Sequence, residues 1–299
     1  MVISNGINGC PQPLKFLVGD ELRFHSPLIF GDKNMDLQLN GKVALITGAS
    51  RGLGKACAEM LASEGCHLSL CGRNKAKLEE VANGLRSDTV KVLTVEADLR
   101  KREENEKFVN ESVAHFGGMD ILINNAGAGQ LSDLLSHDEG VIRESMDLMY
   151  YGPLHASRAA IPHLRTRGGG RIINISSIFG KQPGGLVDYD SVKAALNMLT
   201  KDMANYLAGD KILVNAVCPG PIKGPLWEEP GGLGDQLGGF LGMPGPDAIE
   251  AFAKQNIPLG HYGDPEDVSA LVAYLASPHG KFITGQAINV DGGMVKTLI

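Results

Sequence analysis

The sequence predicts an α/β fold in which helices flank a doubly wound, seven-stranded parallel sheet. Short apolar runs alternate with amphipathic stretches from Gly41 onward, and this alternation is typical of β–α–β units. A glycine-rich turn at 47–54 directly follows the first apolar run. With 299 residues, 43% of them hydrophobic, the chain is long enough for one large α/β domain or two small ones.

Each predicted strand is a short apolar run, as expected for strands that are buried on both faces. The strands are predicted at 42–47, 67–71, 91–97, 120–127, 171–177, 212–220 and 286–293. Helices are predicted at 52–65, at 74–86, from Lys101, at 139–166, up to Leu207 and at Pro265–Ala276. The domain is therefore predicted to span 39–299. Residues 1–38 sustain no apolar period and are predicted to form a loosely structured N-terminal extension.

Composition indicates the compartment and the class of partner. The net charge of −6 argues against nucleic acid or an anionic membrane surface as the main partner. No apolar run approaches the roughly 20 residues of a membrane helix, and no secretory leader is recognisable. The five cysteines form no C-x-x-C pair and the eight histidines no metal-binding motif. We therefore expect a cytoplasmic protein without a metal site that acts on a small molecule.

The stretch TGASRGLG, residues 47–54, has the chemistry of a phosphate-binding turn in a Rossmann-type domain. Gly48, Gly52 and Gly54 would permit the tight turn, the close approach of a pyrophosphate and the packing of helix on strand. The helix N-terminus would then face the phosphates. A glycine-rich turn alone also fits an ordinary loop, but its position between the first strand and the first helix favours a dinucleotide.

The end of the second strand indicates which dinucleotide binds. An NAD site has an acidic residue there that binds the ribose hydroxyls, whereas this chain has Cys71, Gly72 and Arg73. Arg73 and Arg51 could instead meet a 2′-phosphate, or both could simply be solvated. The sequence therefore favours NADP(H) over NAD(H).

Several further motifs follow the glycine turn in a fixed order. They are ADL with Asp98, NNAG at 124–127, NISS ending at Ser177, YDSVK, PGPI at 219–222 and ITGQAINVDGG. From about Leu39 to Met294 the chain thereby resembles the short-chain dehydrogenase/reductase family, and within it 3-oxoacyl-carrier-protein reductases and related carbonyl reductases. The resemblance implies an oxidoreductase that interconverts a carbonyl and an alcohol, assembled as a homotetramer or homodimer.

The resemblance also implies a role for each motif residue. Ser177 would hold the substrate oxygen, Tyr189 would act as general acid or base, and Lys193 would bind the nicotinamide ribose. Because Tyr189 and Lys193 are four residues apart they share a helix face, and a nearby ammonium is expected to lower the pKa of the phenol. Asp98 would bind the adenine amino group and the Ile222 backbone the nicotinamide amide. The implied cofactor-binding set is Gly48, Ser50, Arg51, Gly52, Leu53, Gly54, Arg73, Asp98, Leu99, Asn125, Ala126, Gly127, Tyr189, Lys193, Pro219, Gly220 and Ile222.

Three places depart from the family's pattern. Met149 stands where the family has an asparagine that helps to carry protons to the lysine, and a thioether is a weak acceptor. Gly224 replaces a threonine expected to contact the cofactor. The loop at about 224–262 is long, rich in glycine and proline, and carries large apolar residues. We interpret it as a lid over an apolar substrate or as a surface that packs on a neighbouring subunit.

Charge in the lid bears on the substrate. Glu228, Glu229 and Asp235 would repel an acidic acyl carrier, which favours a free ketone or alcohol. The first two departures also keep open an NADP(H)-binding sensor or scaffold with little turnover. A dehydratase or epimerase on the same scaffold is a third possibility, and it would still use Tyr189.

Overall fold

Seven strands form one parallel sheet in the order β3-β2-β1-β4-β5-β6-β7. The computed structural model describes residues 35–129, 134–135 and 138–297, nearly all of which belong to the unit Leu37–Ile299. The strands are β1 (Val43–Thr47), β2 (His67–Gly72), β3 (Val92–Glu96), β4 (Ile121–Asn124), β5 (Gly170–Ile175), β6 (Ile212–Pro219) and β7 (Ala287–Val290). The predicted α/β fold class and the seven-stranded parallel sheet are confirmed.

Ten α-helices are found among the described residues. They are α1 (Gly52–Ser63), α2 (Lys75–Leu85), α3 (Arg102–Phe116), α4 (Glu139–Met146), α5 (Gly152–Thr166), α6 (Val187–Leu207), α7 (Pro225–Glu228), α8 (Leu233–Leu241), α9 (Gly245–Asn256) and α10 (Pro265–Ala276). Within the described part of the chain, no helix is long and apolar enough to cross a membrane. The predicted N-terminal extension, 1–38, lies almost entirely outside the described residues.

The sheet buries both faces because successive side chains of a strand point to opposite sides. Ala44 and Ile46 of β1 pack in one core cluster together with residues of α1, α2 and α10. Val43 and Leu45 pack in a second cluster with residues of α3, α5 and α6. This alternation explains why β1 reads as a continuous apolar run in the sequence.

The chain reverses its direction of winding at β1. Strands β2 and β3 lie on one side of β1, whereas β4 and the later strands lie on the other. In open parallel sheets such a switch point leaves a crevice outside the carboxyl ends of the two central strands, and ligands bind there. The ends of β1 and β4 are therefore the first place to look for a site.

Two regions differ from the sequence prediction. The helix predicted at 139–166 is divided into α4 and α5 by a π-helical turn, Asp147–Tyr151. The segment predicted as a long loop contains α7, α8 and α9, and its glycines serve helix packing. A Cβ atom on Gly234 would lie 2.5 Å from the carbonyl oxygen of Trp227, and one on Gly238 would lie 2.6 Å from that of Met243.

Candidate active site

The glycine turn joins the end of β1 to the start of α1, and its shape requires glycine. Gly48 has a φ of 66°, a left-handed conformation that costs glycine little because it has no Cβ atom. A Cβ atom on Gly54 would lie 2.3 Å from the carbonyl oxygen of Gly48, so α1 packs directly on the turn. Between them lie Ser50, Arg51, Gly52 and Leu53. The free amides at the start of α1 thus lie at the switch point, which fits a pyrophosphate.

Asn125 ties the glycine turn to the end of β4. Its side-chain amide donates to the carbonyl oxygens of Thr47, at 2.9 Å, and Gly48, at 3.1 Å. The backbone amides of Asn125 and Ala126 donate to the Thr47 hydroxyl at 2.8 and 3.1 Å. The sequence predicted Asn125 only as a cofactor-binding residue, so this bracing role of the side chain was missed.

A polar cavity of about 320 Å³ lies beside the ends of β2 and β3. Its lining residues are Arg73, Glu96, Ala97, Asp98, Glu104 and Lys107. Arg73 and Asp98, which were predicted from separate motifs, therefore line one cavity. A guanidinium and a carboxylate on its walls fit an adenosine with a phosphorylated ribose, since they supply opposite charges for the phosphate and the adenine amino group.

Asp98 is held by an arginine that the sequence reasoning did not single out. Arg100 donates from Nε to Oδ1 at 3.0 Å and from a terminal nitrogen to Oδ2 at 2.7 Å. These hydrogen bonds lower the pKa of Asp98, which therefore stays ionised at neutral pH. Arg100 also pairs with Glu144 of α4 at 3.2 Å. Leu99 is buried in the core, and its carbonyl oxygen accepts from the Asn105 side chain at 2.9 Å, so its backbone amide is the group for the implied cofactor contact.

Ser177 and Tyr189 approach each other across the loop between β5 and α6. Ser177 follows β5, is buried, and accepts a hydrogen bond from the Phe179 amide at 3.1 Å. The Ser177 hydroxyl also lies close enough to the Tyr189 phenol to lower the pKa of Tyr189. A Cβ atom on Gly129 would lie 3.2 Å from the Tyr189 ring, so the phenol also borders the segment after β4. The predicted serine and tyrosine thus lie together at the switch point.

Lys193 lies one helical turn beyond Tyr189 on the same face of α6. Its Nζ is 5.4 Å from the centre of the Tyr189 ring and donates to the Ile175 carbonyl oxygen at 2.8 Å. The side chain is only 3% exposed, and burial lowers the pKa of Lys193 to about 8. A Cβ atom on Gly127 would lie 3.7 Å from this Nζ, so Lys193 also borders the end of β4.

The pKa of Tyr189 is shifted opposite to the sequence expectation. Burial of the phenol raises its pKa to about 12, and the nearby Ser177 hydroxyl only partly opposes that increase. The sequence expectation took account of the Lys193 ammonium but not of this burial. Lys193, with a pKa of about 8, keeps its charge at neutral pH, but the cost of burying a phenolate is larger, so Tyr189 is held protonated.

Met149 lies at the centre of the π-helical turn between α4 and α5 and is buried. A Cβ atom on Gly127 would lie 3.4 Å from its sulfur atom and 3.7 Å from the Nζ of Lys193. The sulfur and the ammonium thus flank the same glycine. π-helical turns are rare and frequently occur at functional sites. The structure therefore puts this departure from the family's pattern directly beside the predicted catalytic lysine.

A buried network of polar side chains lies beneath the site, and the sequence reasoning missed it. Asn124 of β4 donates to Asn174 of β5 at 2.8 Å and to Ser157 of α5 at 3.3 Å. Asn174 in turn donates to the Thr200 hydroxyl of α6 at 2.8 Å. Buried amides are costly unless paired, so the network fixes the register of β4, β5 and α6. The NNAG and NISS motifs, which contain both asparagines, were the available signal.

The PGPI segment lies between β7 and the start of α10. Pro219 ends β6, and the Gly220 amide donates to the Val290 carbonyl oxygen at 2.9 Å. Ile222 pairs with Gly263 in an isolated bridge. The backbone that would meet the nicotinamide amide is thus fixed from two sides.

The lid, defined as residues 224–256, contributes aromatic side chains to one cluster. Trp227 and Tyr262 have ring centres 5.0 Å apart, and Phe252 lies 6.4 Å from Tyr262. The same cluster contains Ile178, the residue after Ser177. The lid therefore has an apolar core that packs beside the predicted catalytic serine.

The comparison with known proteins decides the family. A family model described as short chain dehydrogenase matches residues 42–231. The chain belongs to the short-chain dehydrogenase family. The resemblance read from the motifs is thereby confirmed, and with it membership of a family of oxidoreductases.

Relatives within the short-chain dehydrogenases include several reductases. The chain is 36% identical over 260 residues to a diacetyl reductase, (S)-acetoin forming, of Staphylococcus epidermidis, covering 85% of this chain and 98% of the relative. It is 36% identical over 265 residues to a 3-oxoacyl-acyl-carrier-protein reductase of Aquifex aeolicus, covering 87% and 100%. The solved structure of L-sorbose reductase from Gluconobacter frateurii, complexed with NADPH and L-sorbose, superposes with a TM-score of 0.83 at 34% identity, covering 88% and 100%.

Proposed function

We propose that this short-chain dehydrogenase interconverts a carbonyl and an alcohol on a small substrate with NADP(H), and that Tyr189 transfers the proton. The observation that carries the proposal is the proximity of Ser177 and Tyr189, with Lys193 on the same helix face as the tyrosine, at the switch point of the sheet. A protein that only bound a dinucleotide would need neither Ser177 nor a proton donor at Tyr189. The reductases among the relatives support the same reaction type.

NADP(H) is favoured over NAD(H) by charge at the adenosine end. The residue after β2 is Arg73, which lines the same cavity as Asp98, and the glycine turn contributes Arg51. Guanidinium groups recognise phosphate through paired hydrogen bonds, so both arginines suit a 2′-phosphate. The NADPH complex of the sorbose reductase from Gluconobacter frateurii supports this choice.

The side chains divide the chemistry between them. The bound nicotinamide would supply or accept the hydride. The Ser177 hydroxyl would hydrogen-bond the substrate oxygen, where negative charge develops as the carbonyl is reduced. Tyr189 would donate a proton to that oxygen, a contribution of typically ~10²–10⁴-fold in rate. Lys193, fixed by the Ile175 carbonyl, would bind the ribose hydroxyls and place its positive charge beside the phenol.

The protonated phenol of Tyr189 is suited to the reduction step. With its pKa raised to about 12, Tyr189 is a proton donor at neutral pH, and reduction needs a donor at the carbonyl oxygen. The same group accepts the proton when the reaction runs in reverse, so the supply of cofactor and substrate sets the net direction.

The lid supports a small, largely apolar substrate. Its aromatic cluster lies against Ile178 next to the catalytic serine, which gives the substrate an apolar wall. Glu228 and Asp235 leave the lid acidic, so a phosphorylated carrier would meet like charge there. A free ketone or diketone fits these walls better than an acyl-carrier substrate does.

A second copy of the chain is the partner we propose for the surface between α5 and α6. A cavity of about 450 Å³ opens there, away from every predicted site residue. Its lining residues are Leu154, Ser157, Arg158, Ile161, Asp202, Met203, Tyr206 and Leu207. Tyr206 is 79% exposed beside this apolar groove. Light scattering of the purified chain should therefore give a dimer or tetramer, and Tyr206→Glu should shift it towards the monomer.

The activity is tested by mixing the purified protein with NADPH or NADH and a panel of aldehydes, ketones and diketones. We expect oxidation of NADPH with at least one small apolar ketone or diketone, faster than with NADH. Mass spectrometry of the product should show one added hydride and one added proton.

Other outcomes would separate the alternatives. Tight binding of NADPH without turnover on any substrate would favour the sensor or scaffold. Loss of water or inversion of a centre without net cofactor consumption would favour a dehydratase or epimerase. A preference for NADH would contradict the role of Arg51 and Arg73.

A further inference from the structure

We propose that Glu229 is a specificity-determining residue, because its carboxylate competes with the 2′-phosphate of NADP(H) for Arg51. The inference rests on the proposed function, in which Arg51 binds that phosphate. It adds a residue of the lid to cofactor selection, although the lid would otherwise concern only the substrate.

The competition follows from one ion pair that joins the cofactor turn to the lid. Arg51 directly precedes α1 and lies at its N-cap position, and its guanidinium pairs with the carboxylate of Glu229. Glu229 directly follows α7 and lies at its C-cap position. The two residues are 178 positions apart in the chain, and both side chains are about half exposed. Among the ion pairs between described residues, no other joins residues 224–256 to the rest of the protein.

The chain at the start of the lid holds Glu229 close to Arg51. Ile222 is bridged to Gly263, and Lys223 pairs with Asp264 at 2.8 Å, so the chain is fixed just before the lid begins. Gly224 then turns the chain with a φ of 132° into α7. A Cβ atom on Gly52 would lie 3.8 Å from the ring of the next residue, Pro225, so α7 begins in contact with the glycine turn.

The Arg51 guanidinium cannot bind the Glu229 carboxylate and a 2′-phosphate with all of its donors at once. Arginine binds carboxylate and phosphate through the same planar array of N–H donors, so a 2′-phosphate must displace Glu229 or share its donors. Glu229 should therefore weaken the binding of NADP(H) and leave the binding of NAD(H), which has no 2′-phosphate, unaffected.

The first test compares cofactor affinities of two matched variants by calorimetry. Glu229→Gln should lower the Kd of NADPH about two- to fivefold, the range expected for an exposed ion pair, and leave the Kd of NADH unchanged. Glu228→Gln removes the same charge one residue earlier and should change neither value. In an Arg51→Ala background, Glu229→Gln should lose its effect.

The second test uses Trp227, the single tryptophan of the chain, which lies two residues before Glu229. Adenosine 2′,5′-bisphosphate should change the tryptophan emission, because Arg51 would exchange Glu229 for the phosphate and release the end of α7. Adenosine 5′-phosphate should leave the emission unchanged. In Glu229→Gln the bisphosphate should bind more tightly but produce a smaller change in emission.

The outcomes separate this inference from the proposed function. If the bisphosphate and the 5′-phosphate bind equally to the unmodified protein, the preference for NADP(H) fails and the inference fails with it. If the bisphosphate binds more tightly but Glu229→Gln and Glu228→Gln behave alike, only the competition by Glu229 is overturned. An effect of Glu229→Gln that persists in Arg51→Ala would likewise overturn the competition.

Discussion

Replacing Gly54 by alanine should damage both the fold and the cofactor turn, because the added methyl group has nowhere to go. Its Cβ atom would lie 2.3 Å from the carbonyl oxygen of Gly48 and 2.4 Å from the side-chain nitrogen of Asn125. Both atoms belong to the brace that joins the turn to β4, so the turn or the Asn125 side chain must move.

The expected fall in the free energy of unfolding can be calculated from these contacts. Two hydrogen bonds of the Asn125 amide would be lost or bent, at about 1 kcal/mol each. Forcing a methyl group into a packed site costs a further ~1–3 kcal/mol, so the free energy of unfolding should fall by about 3–5 kcal/mol. For a domain of this size that loss lowers the Tm by roughly 6–20 °C. A displaced turn should also raise the Kd of NADPH more than about tenfold, since close approach to the pyrophosphate depends on the turn.

The assay is thermal unfolding followed by circular dichroism, combined with calorimetric titration of NADPH. Gly84→Ala is the matched control, because Gly84 is exposed in α2 and its added Cβ would meet no atom within 4 Å. Alanine is the better helix former by about 1 kcal/mol, so the control should keep or slightly raise the Tm. Equal Tm values for Gly54→Ala and the unmodified protein, with unchanged NADPH binding, would refute the packing argument.

Three further predictions follow from the buried site. The kcat/KM for reduction should fall above about pH 8, where Lys193 loses its proton. Tyr189 stays protonated up to about pH 12, so it should cause no fall of its own at lower pH. Initial rates measured across pH would contradict this if the fall began below neutrality. Met149→Asn should raise kcat severalfold, because an amide oxygen accepts hydrogen bonds beside Lys193 far better than a thioether does. Met149→Leu should not raise kcat. Equal rates for the two variants would contradict the idea that Met149 slows proton transfer to Lys193. Asn174→Ala should lower the free energy of unfolding by about 2 kcal/mol, because Asn124 and Thr200 each lose one buried hydrogen bond worth about 1 kcal/mol; a denaturation midpoint like that of the unmodified protein would contradict the role of the network.

Much of the fold could be predicted because its signals are local. The strand runs are apolar since both faces of the sheet are buried, and Pro265–Ala276 matches α10 because a proline at N1 and a capping aspartate mark its start. The helices of the lid could not be predicted, because glycine normally disfavours helix interiors. At Gly234 and Gly238 a tertiary contact outweighs that preference, since any larger residue would collide with a backbone carbonyl.

The candidate site was likewise predictable only in part. The spacing of Tyr189 and Lys193 correctly predicted a shared helix face, because i and i+4 positions always meet. The direction of the Tyr189 pKa could not be predicted, since it depends on burial, which spacing does not reveal. The partnership of Arg51 with Glu229 joins residues that are distant in sequence, so only the folded chain shows it.

Tyr189→Phe, measured in single turnover with saturating NADPH and the best ketone of the panel, tests the central claim most directly. The variant should bind NADPH as tightly as the unmodified protein and lose at least about 10²-fold in the rate of hydride transfer, because only the donated proton is removed. Tyr274→Phe, which removes a hydroxyl from α10, should react at the normal rate. A Tyr189→Phe variant that reduces the ketone as fast as this control would contradict the assignment of Tyr189 as proton donor.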